Sequence, residues 1–318
     1  MRSEAAIDAV AIREGWTLPP RLGLGTRLWR VARRKPLGTF GALAIAILAA
    51  FAVGAPVIGR YDPSETFSRA NPSYQEGVFN PQALRATTTD SNSPPSAGHW
   101  LGTDNAGRDI WSRVVWGARR SLSIGVGALS LSLVIGSVAG IVSAYFSGWV
   151  DTVMQRFIDS LQAFPALLLL ILIATFMEPN IRNLMLALGV VGIPQVSRIV
   201  RGTVLSLREM PYVEAARVLG AGDFRIMAWH ILPNALAPII VVFTIGLGSV
   251  IIAEASLSFL RMAPPGISWG QMLDEGRQFV TSSPWQALFS GLAISVAVLG
   301  FNLAGDALRD VLDPRLRI

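Results

Sequence analysis

The chain has no cysteine and, across its 318 residues, a single lysine, Lys35. Without cysteine there are no disulfides, no thiolate metal sites and no cysteine nucleophile, and cysteine usage leaves the redox compartment undetermined. The lone lysine removes another class. A phosphate-cradling loop of the Walker type needs Gly-x-x-x-x-Gly-Lys, and Lys35 stands before Pro36 outside any such run. The chain does not hydrolyse ATP by that route, so an ATP-driven function requires a separate chain. Histidine is scarce too: His99 and His230 fall in loops on opposite sides of the topology derived below and cannot form one catalytic site. Charged residues make up only 15% of the chain. The basic ones behind the net charge of +6 are spread over short segments between apolar blocks, a distribution that does not point to nucleic acid.

What the chain has in abundance is apolar sequence: 52% hydrophobic residues and a mean hydropathy of +0.48. Crossing a hydrocarbon layer roughly 30 Å thick takes about 20 apolar residues in a helix, because no water is there to satisfy an open backbone. Six blocks meet that requirement, at about 38–59, 121–146, 158–177, 183–200, 236–258 and 286–305. The first is too long and too far into the chain for a cleaved signal and reads as a retained span. The fourth contains Pro194, Gln195 and Ser197, which predicts a broken or kinked helix facing protein or a cavity. The expected class is an all-α membrane protein of six transmembrane helices.

Basic residues orient it. The segment before the first span carries Arg2, Arg13, Arg21, Arg27, Arg30, Arg33, Arg34 and Lys35, which places the N-terminus in the cytoplasm. Six crossings return the C-terminus, with Arg309, Arg315 and Arg317, to the same side, and the segment between spans four and five, with Arg201, Arg208, Arg217 and Arg225, joins them. Arg108, Arg113, Arg119 and Arg120 fall in a loop of about 60 residues, a length at which the charge rule loses force. The organisation expected is a cytoplasmic tail over 1–37, a first helix over 38–59, an external loop over 60–120, a core of five further helices over 121–307 and a cytoplasmic tail over 308–318. Within the loop, Ile110, Trp111, Val114, Val115 and Ala118 fall on one helical arc and Asp109, Ser112, Arg113, Arg119 and Arg120 on the other. That predicts an interfacial amphipathic helix at about 107–120, with Trp116 off pattern on the polar arc. It reads either as a lipid anchor or as a docking surface for an external partner.

Between spans four and five, Pro211 suits the first turn of a helix and Gly220 the position just past its end, where positive φ is often needed. Ala215 and Ala216 leave this short helix nearly bare on one side, and Glu214 near its start complements the helix dipole. A second helical stretch, Asp223 to His230, follows and ends at Ile231-Leu232-Pro233-Asn234. Asp159, Glu254, Asn302 and Asp306 lie in or at the ends of apolar blocks, where pore-lining and structural roles both fit.

The run EAARVLGAGDFRIMAWHILPN resembles the EAA loop of binding-protein-dependent ABC importer permeases, through Glu214, Ala215, Ala216, Gly220, Leu232 and Pro233. Three further segments resemble the C-type permease of the dipeptide, oligopeptide and nickel branch: LGTDNAGRDIWSR from Leu101, EASLSFL from Glu254, and FNLAGDALRDVLDPRLR from Phe301. Arg261-Met262-Ala263 departs from the Gly-rich continuation common in that branch. The resemblance implies a type I importer permease in the cytoplasmic membrane, with no catalytic residue, cofactor or metal of its own. It implies a second homologous permease, two ATP-binding subunits that hold ATP and Mg, an extracytoplasmic solute-binding protein delivering peptide, and a lipid surround. The loop at about 204–233 would be the coupling segment, through Tyr212, Glu214, Ala215, Ala216, Arg217, Gly220, Ala221, Leu232 and Pro233. Asp104, Arg108, Arg113 and Trp116 are candidates for contact with the external partner, and Asp159, Glu254 and Asn302 for the pore or an interface. Nickel or oligosaccharide is the alternative cargo. An ATP-independent secondary transporter or channel, and an intramembrane enzyme, are the alternatives from other classes.

Overall fold

The computed structural model describes residues 35–70 and 87–312. The arginines before Lys35, external residues 71–86, and the tail from 313 with Arg315 and Arg317 lie outside the described residues. Helix α1 (Pro36–Ile58) opens on a proline in its first turn, where the missing N–H has no intrahelical partner to lose. A short antiparallel pair, β1 (Ser68–Ala70) and β2 (Thr87–Thr89), then interrupts an otherwise helical chain.

Helix α2 (Ile110–Phe146) runs for 37 residues without a break, its N-terminus capped by the Asp109 carboxylate accepting from Ser112 N–H. The separate interfacial helix expected at about 107–120 is therefore corrected: that stretch is the first third of α2. Both of its arcs face protein, since Ile110, Val115 and Ala118 are buried and so are Ser112 and Arg113. Asp104 and Arg108 of the preceding turn tie it to the rest of the fold.

The third span is corrected as well. It is a pair of helices, α3 (Gly148–Gln162) and α4 (Ala166–Phe176), bent by 84°. Pro165 lacks an N–H and drives Phe164 away from helical backbone angles, which separates them. Helix α5 (Ile181–Leu207) keeps Pro194 inside a continuous helix, which removes the break from the broken or kinked helix expected there, and Pro194, Val196 and Ser197 pack inside protein.

The short α6 (Pro211–Val218) leads into α7 (Asp223–Phe259). The helical stretch after α6 does not end at Ile231 as expected but continues into the fifth span through a π-helical turn at Ile226–Ile231. Pro233 is the reason: it cannot donate to the carbonyl one turn back, and the chain widens by one residue, so that Leu232 N–H bonds Met227 C=O. The Asn234 side-chain amide donates to His230 C=O at 2.7 Å. Helices α8 (Trp269–Arg277) and α9 (Trp285–Leu312) complete the fold.

The central packing is α2 against α5. Ala128, Ser132, Gly136, Gly140 and Ala144 recur every fourth residue on α2, and all are buried. A Cβ at Gly140 would lie 2.6 Å from Ser197 O and one at Gly136 2.8 Å from Val196 Cβ, so the two backbones nearly touch. Ser132 Oγ donates across the seam to Gly189 C=O at 2.7 Å. Lipid tails are as apolar as leucine, so helices hold together there by close packing and interhelical hydrogen bonds. With five helices among the described residues long and apolar enough to cross, or six if the bent pair counts as one span, this is a multi-pass membrane protein.

Candidate functional site

At one end of the bundle, α6 is held by its own sequence. Pro211 stands in the first turn, and Val213 and Ala216 are buried in a core with Ile141, Ala144, Val200, Val204, Ile226 and Ile231. The helix closes where Gly220 takes a φ of +81°, with Gly220 N–H bonding Arg217 C=O and Ala221 N–H bonding Ala216 C=O, each at 3.0 Å. A Cβ at Gly220 would meet nothing within 4 Å, so the backbone angle, not crowding, calls for glycine.

Of the alanines expected to form a bare face, Ala215 is exposed but Ala216 packs inward. The outward surface is Tyr212, Glu214, Ala215 and Arg217 together with a set that motif matching passed over: Val218, Leu219, Phe224 and Trp229 are 82%, 86%, 79% and 74% exposed. Sequence carried a signal for them, since large apolar side chains flank Gly220 in a segment too short to span a membrane. Burial raises the Tyr212 phenol above its ordinary pKa. Ala221 and Leu232 are half-buried, and Pro233 is exposed beside the π-turn.

This segment is tied to the spans by polar contacts. Tyr145 Oη donates to Asp223 Oδ1 at 2.7 Å, and the Arg217 guanidinium lies 6.0 Å from the centre of the Tyr145 ring. Arg208 donates to Ala144 C=O at 2.8 Å. Arg201 grips Asp151 of α3 with two nitrogens, at 2.7 and 2.5 Å, and Ser143 bonds the same carboxylate. Fork-to-fork pairing of this kind fixes direction as well as distance.

From the same end, a cleft of about 1070 Å³ opens along α7. Residues of α7 from Asn234 to Ser256 line it at three- and four-residue spacing, a length of about 33 Å at 1.5 Å per residue, close to a bilayer core. Leu129 of α2, Leu167 and Leu170 of α4, Val191, Gly192 and Gln195 of α5, and Arg309 and Leu312 of α9 form its other walls. The lining is mostly apolar, with Gln195, Asn234, Ser249 and Ser256 as neutral polar groups. Gln195 belongs to the stretch that the sequence predicts to face protein or a cavity.

The residues proposed for an external partner are gathered at the opposite end, and two of them are turned inward. Arg113, 2% exposed, bonds Glu275 of α8 at 2.9 Å and lies 3.4 Å from buried Asp104. Arg108 bonds Asp104 at 2.7 Å and Glu275 at 3.1 Å. Asp104 also accepts from Ala106 N–H and Arg108 N–H. Asp104 and Arg113 therefore clamp α8 onto α2, a correction of the contact role expected for them: a buried charge needs its counter-charge and has none to spare for a partner. Trp269 Nε1 adds a bond to Val114 C=O at 2.9 Å. Trp116 is half-buried, close against Gly59.

Of the membrane residues, Glu254 is buried, accepting from Ser258 at 2.8 Å and Ser121 at 3.2 Å, and lies outside the cleft lining. Asp159 pairs with Arg198 at 2.5 Å, half-exposed, and Asn302 packs near Gly248 where α7 meets α9. Of the two roles that fit these residues, pore and interface, the burial and bonding of Glu254 favour the structural one, and Asn302 sits where α7 meets α9. His99 bonds Asp109 at 2.9 Å, far from His230 in the π-turn. Among the described residues no group of three or more His, Asp or Glu could hold a metal.

Residues 133–318 match the model of the family described as "Binding-protein-dependent transport system inner membrane component". The chain is 42% identical over 247 residues to the dipeptide transport system permease protein DppC of Alkalihalophilus pseudofirmus, covering 76% of this chain and 81% of that one. It is 38% identical over 291 residues to the glutathione transport system permease protein GsiD of Pectobacterium atrosepticum, covering 91% and 90%. A putative peptide transport system permease of Brucella suis is 47% identical over 227 residues, 71% of this chain and 76% of that one. Among solved structures, a chain of the inward-facing MetNI methionine ABC transporter superposes with a TM-score of 0.53 at 19% identity, over 63% of this chain and 96% of that one, a likeness of fold.

Proposed function

This chain belongs to the family of binding-protein-dependent transport system inner membrane components, and from that premise we propose that it forms half of the path by which an ATP-driven importer takes up peptides. The observation that carries the reading is the membrane-length cleft along α7, walled on one side by α2, α4, α5 and α9 and open on the other, with α6 and its exposed apolar flank at one end. A second, homologous permease supplies the missing wall. Two ATP-binding subunits, which hold ATP and Mg, dock on Tyr212, Glu214, Ala215, Arg217, Val218 and Leu219 on the cytoplasmic side, and a solute-binding protein delivers from outside. The chain itself catalyses nothing.

The mechanism is mechanical. Movement of α6 by the ATPases passes through Tyr145–Asp223 to α2 and through the π-turn directly to α7, which lines the cleft; two packings of the bundle alternate and open it to one side at a time. The names of the relatives favour di- and oligopeptides over nickel or oligosaccharide. To test the assembly, the tagged chain is purified in mild detergent and its companions are weighed by mass spectrometry. A second permease and Walker-type ATPases are expected; a chain that stays alone and moves solute without ATP would return the account to a secondary transporter.

A further inference from the structure

Among the described residues Arg309 is the single formally charged one lining the cleft. Gly305 packs against Ile245 and Gly248 near Asn302, and stepping along the two antiparallel helices from those contacts sets Arg309 level with Val241, about 10 Å along α7 from Asn234. Arg309, in the last turn of α9, thus lines the third of the cleft nearest α6. Arg309 is exposed, and among the described residues neither acidic neighbour on α9 pairs with it: Asp310 is held by Lys35 at 2.6 Å, and Asp306 forms no ion pair with it. A charged side chain at the mouth of an otherwise apolar cleft marks the path of a ligand, and the partner remains to be named.

Resting on the peptide-import reading, we propose that Arg309 is the counter-charge for the carboxylate of the transported peptide as it reaches the α6 end of the cleft. Leu167, Leu170, Val191 and Ile245 offer side chains an apolar wall but offer an anion nothing. A carboxylate moving along them is stranded until it meets a donor, and a planar guanidinium accepts it with two parallel N–H bonds. Gln195 and Asn234 can hold the peptide amides on either side. Selection of this kind acts inside the membrane subunit, after the binding protein has made its own choice.

The test uses the complete complex in phosphatidylcholine proteoliposomes, with ATP and either tri-alanine or tri-alanine amide on the α6 side, and a labelled peptide with the binding protein on the other. Tri-alanine is expected to inhibit uptake about tenfold more effectively than its amide, the scale of one charge-assisted hydrogen bond. Arg309→Gln is expected to abolish that difference by weakening tri-alanine alone, while Arg309→Lys keeps most of it; a role in packing would not tell acid from amide. Equal inhibition by acid and amide in the unmodified complex, no inhibition by either, or a difference that survives in Arg309→Gln overturns the proposal. So does a phosphatidylglycerol-dependent stabilisation lost in Arg309→Gln without any peptide effect, which would assign the arginine to a lipid phosphate. Should Arg309→Gln fail to assemble, the acid–amide comparison in the unmodified complex decides. Absence of any uptake by that complex would instead count against peptide import itself.

Discussion

The phenol of Tyr145, in the last turn of α2, donates to Asp223 at 2.7 Å where the chain turns from α6 into α7. This bond is one of the contacts that join the segment assigned to the ATPases to α2, the helix that packs along α5. Tyr145→Phe keeps the ring beneath Arg217 and removes only the donor. We expect a stability loss of about 1 kcal/mol, the usual net worth of such a bond, and a fall in peptide moved per ATP hydrolysed. Uptake and phosphate release measured together check it; an unchanged ratio would exclude Tyr145 from coupling.

Gly220 closes α6 at a φ of +81° with free space around its Cβ. Substitutions should therefore rank by tolerance of the left-handed region: Asn nearly neutral, Ala costing roughly 1–2 kcal/mol locally, and β-branched Val most. Coupled transport should fall in that order while the chain still inserts. Equal activity of Gly220→Val and the unmodified protein, in both ATPase and uptake, would contradict the role given to α6.

Arg113 holds Asp104 and Glu275 together, nearly out of reach of water. Removing it in Arg113→Ala leaves Asp104 and Glu275 to share Arg108 alone and should destabilise the protein by about 1–3 kcal/mol, the scale of a lost charge-assisted hydrogen bond. A thermal melt in detergent reads this. Were Arg113 instead a contact for the binding protein, the melt would stay put and only the affinity for that partner would drop.

Gly140→Leu should separate α2 from α5, because the side chain would be built into Ser197 C=O. Gly140→Ala meets the same carbonyl with one methyl and should be milder. Folded yield in the membrane, compared across the pair, gives the order; equal yields would mean that the seam is looser than 2.6 Å implies.

Much of this was legible in the residues. Pro211 and Gly220 bound α6 because each answers a local backbone demand, and local demands are written locally. The bent pair was hidden because hydropathy averages over Pro165, which interrupts helical geometry without lowering the apolar count. The first third of α2 looks amphipathic and reads as an interfacial helix, a lipid anchor or a docking surface, since a polar arc that faces water and one that faces Glu275, far along the chain, read alike. The five-member repeat of small residues from Ala128 to Ala144 was readable as a helix seam by spacing alone. The cleft was not, because α2, α4, α5, α7 and α9 each contribute a strip and only packing joins them.

The measurement that bears most directly on the account is uptake of a labelled peptide by proteoliposomes holding this chain with its co-purified subunits. The account predicts uptake that needs ATP and the binding protein together and is lost in Gly220→Val while ATP hydrolysis persists. Peptide accumulation by this chain alone, without ATP, would contradict it.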